Sequence, residues 1–256
     1  MKIVAFVPAD RDEICFGLLE GERIEVIEDP FATGEVIRTG ECVKRQDVVL
    51  VNPCFPSKAL CIGLNYSDHA KEFGLPVPES PVVFMKPSSA LIGPDDYIIK
   101  PAMCHDLDEE AELAVVIGKE CRCVEEDDVD RYILGYCCAN DVTARDLQPK
   151  TGQWTIAKGF DTFLPLGPYI SDEVDAGNLK IECRINGKTV QSSNTCNLIF
   201  SIPYLVSHLS KVMTLNPGDV ILTGTPSGTS HMKAGDVVEV EIEGLGVLCN
   251  TVDEEA

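Results

Sequence analysis

The segment DLDEEAELAVVIGK sets Glu110 and Glu112 two residues apart at the mouth of an apolar run. A strand alternates its side chains, so both carboxylates fall on one face. Like charges about 7 Å apart beside a buried run lose hydration and raise each other's pKa, an arrangement that a cation relieves. The alternative is a pair of solvated strand carboxylates. A second run, RYILGYCCANDVTARDLQ, stays nearly uncharged until Asp141, which places that carboxylate at the edge of the core. Three carboxylates without histidine or thiolate suit a hard ion better than zinc: Mg2+ or Mn2+, with Ca2+ also open. Water or substrate oxygens would complete the shell. Spacing alone does not make the three converge.

The 256 residues carry a formal charge of -21. A field of that sign repels nucleic acid and anionic membrane surfaces, so neither is expected as a partner. An anionic substrate would need a local positive patch. The acidity is equally accounted for by a solvated acidic surface. LTGTPSGTS has the look of a glycine-rich phosphate cradle, but it lacks the Gly-Lys-Ser/Thr ending and no helix follows. His208 and His231 read as structural or exposed.

The twelve cysteines contain no CxxC pair, and with 45% hydrophobic residues the chain can bury a full core without staples. They are expected as reduced thiols. No apolar run approaches the roughly 20 residues of a membrane span, and MKIVAFVPADRDE lacks the features of a signal peptide, so the expected location is cytoplasmic.

Residues 1–55 read as short strands and turns: KIVAFV, EICFGLLEG, the alternating RIEVIED, and a polar stretch running to DVVLVNP. This predicts a small β-rich N-terminal domain, followed by a main body over 56–256. Pro53 and Pro56 bracket the exit into KALCIGLNY. Ser67 to Phe73 could form one helical turn running into the proline-rich GLPVPESP, a plausible lid. EEDDVDRYIL predicts a short helix with acidic residues leading, where the helix dipole favours them. SIPYLVSHLSKVMTL predicts an amphipathic helix, with Ile202, Leu205, Val206, Leu209, Val212 and Met213 on one face. Strands follow at VILTG and VVEVEIEG. The fold class is therefore α+β, strand-rich and not doubly wound.

The runs GLNYSDHAKE, FMKPSSALIGP, EAELAVVIGK, GYCCANDVTARDLQ, WTIAKGFDTFLPLGP and GDVILTGTPSG occur in the order and rough spacing of the fumarylacetoacetate hydrolase family. The chain resembles that family over most of residues 60–230. The resemblance implies a mixed β-sheet roll or sandwich with few short helices, and a homodimer. It implies Glu110, Glu112 and Asp141 as ligands of the divalent cation. It implies Lys158, in AKGFD, as a cation near the metal that stabilises negative charge on a substrate or enolate. His69 and Glu72, in DHAKE, match a His/Glu pair that activates water. Lys86, Arg145, Gln153 and Thr225 are weaker candidates for substrate contacts, and Lys86 and Arg145 could equally be structural ion-pair partners.

The expected substrate is a small anionic 2-oxo acid, whose carboxylate and keto oxygens chelate a hard cation. With the His69/Glu72 pair, the first expectation is hydrolytic C–C cleavage of an acylpyruvate-type dicarbonyl. The alternatives are an isomerase or decarboxylase of 2-hydroxyhepta-2,4-diene-1,7-dioate type substrates, and an oxaloacetate decarboxylase or tautomerase. A noncatalytic metal-binding β protein stands as the reading from another class.

Overall fold

The computed structural model describes residues 1–67 and 78–255. Its architecture is the strand-rich α+β arrangement expected, with mixed sheets and few short helices. Twelve strands of the described residues share one sheet. At its centre Ala111–Ile117 pairs antiparallel with Ile133–Asn140 on one side and Val220–Leu222 on the other. Val220–Leu222 then pairs in parallel with Ala59–Gly63, and Val82–Lys86 forms the edge beyond. A five-stranded sheet packs against this one, and a three-stranded sheet ties Leu107–Asp108 to Thr143–Ala144 and His231–Met232.

Every residue of Ala111–Ile117 is buried, so the strand is covered on both faces. Leu113, Val115 and Ile117 enter one core, and Ala114 and Val116 another. Glu110 and Glu112 continue the even-numbered series, as the strand period requires. Across the sheet Cys137 and Ala139 lie in that same second core, and Asp141 continues their series. The apolar alternation therefore aims all three carboxylates to one side.

The N-terminal strands Lys2–Pro8, Cys15–Glu20, Arg23–Ile27 and Arg38–Lys44 extend the large sheet, joined through Lys2↔Ser171 and Ile3↔Ile170. The hairpin at Glu20-Gly21-Glu22 is present, with Gly21 at φ 59°. The amphipathic helix spans Ile202–Val212, capped by Ser201, whose hydroxyl accepts from the Tyr204 amide. Its buried face holds Ile202, Leu205, Val206 and Leu209. Val212 departs from the expected face and is 60% exposed, and Met213 is extended backbone that ends the helix. The acid-led helix is a 3-10 segment, Glu126–Arg131. All twelve cysteines are free thiols. No helix among the described residues is long and apolar enough to cross a membrane.

Candidate active site

The antiparallel register brings the first two carboxylate segments together. Ala111 faces Asn140 and Glu112 faces Ala139, so Glu110 and Asp141 meet where the two strands end, with the Asp141 amide donating to the Glu110 carbonyl at 2.9 Å. Asn140 reinforces the junction by accepting from the Glu110 amide at 3.0 Å. From the other neighbour, the Gly224 amide donates to Glu112 Oε2 at 2.6 Å. Gly224 has φ +102°, and a Cβ there would lie 2.8 Å from that of Asn65, so only glycine presents this amide without strain. Candidate ligand atoms of Glu110, Glu112 and Asp141 lie within 4.8 Å of one another, and all three residues are buried. Their oxygen-only donor set fits a hard divalent cation.

Lys158 ends the short helix Thr155–Lys158 and is buried. Its ammonium donates to Glu110 Oε2 at 2.7 Å and to Asp141 Oδ2 at 2.6 Å. Burial disfavours its charge, but Asp141 and Glu110 outweigh that and hold its pKa above the ordinary lysine range. Lys158 is therefore a fixed cation. Arg145 donates from Nη2 to Glu110 Oε1 at 2.5 Å and from Nε to Asp108 Oδ2 at 2.6 Å. For Glu110, burial is overcome by Lys158 and Arg145, which bring its pKa down to about 2. Glu112 goes the other way: burial, then repulsion from Asp141 and Glu110, push it well up. A bound cation would relieve that repulsion.

The carboxylates open into a cavity of about 720 Å³, within the usual range for small-molecule sites. Arg145, Lys158 and Thr225 line it, with Phe84, Gln148, Pro149, Lys150 and Trp154 as further walls. Lys86 lies behind Asp141: fully buried, it forms an ion pair with Oδ1 at 2.8 Å and donates to the carbonyls of Val142 at 2.8 Å and Phe163 at 2.6 Å. That geometry is the structural ion-pair role held open for it. Gln153 is exposed and does not line the cavity. The Thr225 hydroxyl donates to the Ala111 carbonyl at 2.9 Å and accepts from Gln191 at 2.8 Å, which ties it to the metal-ligand strand. His69 and Glu72 lie outside the described residues.

Two participants escaped the sequence reading. Gln191, buried in the polar strand Lys188–Asn194, accepts from the Ala111 amide at 2.9 Å and holds Thr225 in place. Trp154 supplies a cavity wall, stacking edge-on against Phe84 with ring centroids 5.2 Å apart. His231, read as structural or exposed, is exposed and contacts Asp108 through Nδ1 beside the Arg145 network. The AKGFD and DVTARD runs pointed to their neighbours, but nothing in a polar strand marks a position such as Gln191.

Two family models together match nearly the whole chain: "Fumarylacetoacetate (FAA) hydrolase C-terminal" over residues 58–253 and "Rv2993c-like, N-terminal" over 1–53. An uncharacterised protein of Archaeoglobus fulgidus is 60% identical over 204 residues, 80% of this chain and 82% of its own. The mitochondrial oxaloacetate tautomerase Fahd2a of Rattus norvegicus is 45% identical over 222 residues, 82% of this chain and 71% of its own. The crystal structure of 5-carboxymethyl-2-hydroxymuconate delta-isomerase from Mycobacterium smegmatis superposes with a TM-score of 0.92 at 41% identity, covering 100% of both chains. With matched sequence over both segments and a fold shared along its whole length, the chain belongs to the fumarylacetoacetate hydrolase family of enzymes.

Proposed function

We propose that this chain is a divalent-metal-dependent enzyme that enolises a small 2-oxo acid, with keto–enol tautomerisation of oxaloacetate as the reaction its site fits best. The observation that carries the reading is the buried Lys158 ammonium, shared between Glu110 and Asp141 beside a third carboxylate, Glu112. A divalent cation held by Glu110, Glu112 and Asp141 would supply Lewis acidity and charge to balance an enolate.

The one proton that moves leaves C3 and is made good at the 2-oxo oxygen, so the keto and enol forms balance, and the described side chains supply charge and position. Lys158 stays protonated and so offers fixed positive charge where an enolate develops, not a base to remove the proton. Arg145 and Lys86 hold Glu110 and Asp141 at fixed angles, so the site needs no rearrangement as charge builds. Trp154 and Phe84 close one side with apolar surface, which lowers the local dielectric and strengthens these charges. Four carboxylates, counting Asp108, face three cations, Lys86, Lys158 and Arg145. With every one of these groups ionised around a bound divalent cation, the cluster would carry one net positive charge. That balance suits the carboxylate of a 2-oxo acid. The name of the rat relative favours oxaloacetate and tautomerisation.

Hydrolytic cleavage of an acylpyruvate is the second reading, favoured by the His69/Glu72 pair in DHAKE. The two part company in one experiment. With Mg2+ or Mn2+ present, the purified chain should accelerate enol-to-keto conversion of oxaloacetate, followed by ultraviolet absorbance, with little cleavage of acetylpyruvate or fumarylpyruvate. Rapid acylpyruvate cleavage without oxaloacetate turnover would replace the first reading with the second.

A further inference from the structure

The cations at the centre are committed to protein carboxylates, and one net positive charge with a divalent cation bound is matched by a single substrate carboxylate. A 2-oxo dicarboxylate brings a second. Its partner must come from elsewhere in the cavity. Lys150 lines the same cavity and is exposed there, with no ion pair to any of the described residues.

The loop that carries Lys150 is pinned on both sides. Before it, Gln148 accepts from Arg145 Nη1 at 2.6 Å. After it, the Trp154 indole donates to the Pro149 carbonyl at 3.3 Å, closing residues 149–154 into a loop. Trp154 is itself seated against Phe84 and over Gly63, where a Cβ would come within 2.6 Å of the indole ring. These contacts hold a lysine at the cavity wall, on a loop tied to Arg145 and hence to Glu110.

We propose that Lys150 binds the distal carboxylate of a 2-oxo dicarboxylate, so that the site selects dianions over monoanions of equal length. This rests on the enolising reading above and names its substrate class. An exposed ammonium contributes modestly, and its contribution is screened by salt, so the expected effect is on selectivity.

Trp154 is the chain's one tryptophan and reports binding by its fluorescence. The full-length chain with Mg2+ is titrated with 2-oxoglutarate and with 2-oxovalerate, which replaces the distal carboxylate with a methyl group. Lys150→Met should lower the ratio of the two affinities about tenfold at low ionic strength, Lys150→Glu should lower it further, and the difference should collapse in 1 M salt. An unchanged ratio in a protein that still binds both acids overturns the subsite and leaves the enolising reading standing. A loss that persists in 1 M salt also overturns it, because the effect would then not be a charge pair. A wild-type chain that binds neither acid with Mg2+ present removes both proposals together.

Discussion

Two sites of buried carboxylate in this molecule solve the same electrostatic problem in opposite ways. Asp219 is fully buried and alone. It accepts from the Ser57 hydroxyl at 2.6 Å, the Lys58 amide at 3.1 Å and the Asn216 amide at 2.7 Å, and it pairs with the Lys58 ammonium. One charge has a full set of donors, so this is a structural joint between the Pro217–Asp219 turn and the start of the Ala59–Gly63 strand. Around Glu110, Glu112 and Asp141 the donors are unevenly shared: Lys158 bridges Glu110 and Asp141, which also hold Arg145 and Lys86, whereas Glu112 draws mainly on a single amide. Next to them Glu109 is buried with Oε2 unpartnered. Burial raises its pKa to about 8. A satisfied buried carboxylate holds a fold together, whereas a buried carboxylate crowded by two others with a single amide donor, as Glu112 is, calls for a cation.

The contrast can be tested by breaking each side. Asp141→Asn should cost the most for function: a roughly 10²–10³-fold fall in turnover and a clear loss of Mn2+ affinity by calorimetry, with the circular dichroism spectrum retained. Asp219→Ala should do the reverse. It leaves Lys58 unpaired at 14% exposure, and urea denaturation should show a loss of about 3 kcal/mol with turnover per folded molecule preserved. Both falling in turnover alike would erase the distinction.

Glu109 sharpens the comparison through pH. Its folded pKa of about 8 lies above the ordinary 4.5, so between those values the folded state binds more protons than the unfolded one. Its contribution is complete below about 4.5 and is lost as pH rises toward 8. Urea denaturation in EDTA at several pH values should show that downward slope, and Glu109→Gln should flatten it. The smallest effect belongs to an arginine and two glutamates outside both sites. Arg184 meets Glu239 at 3.1 Å and Glu241 at 2.5 Å near the surface, and Glu241→Ala should change stability by less than about 1 kcal/mol.

Much of this was legible along the chain. The apolar runs around Ala111–Ile117 and Ile133–Asn140, the alternation in Arg23–Ile27 and the helical spacing after Ser201 each found their element, because burial on a known face leaves a periodic trace. Arg38–Lys44 and Lys188–Asn194 escaped notice because they are polar strands, held by ladder hydrogen bonds that any residue can make. Gln191 was hidden for the same reason, and Asp219 read only as part of a turn.

By itself the sequence determined the residue types at the centre: two carboxylates at strand spacing, a third at the end of an uncharged run, and a lysine in a nearly uncharged stretch. It could not say that Asp141 would lie opposite Glu110, that Lys158 would serve both, or that Lys86 would stand behind the site and Lys150 beside the cavity. Those facts depend on strand register and on a loop seated by one indole. Hydrogen-bonded pairing joins residues far apart in the chain, and a shift of one position would have turned the carboxylates to the opposite face.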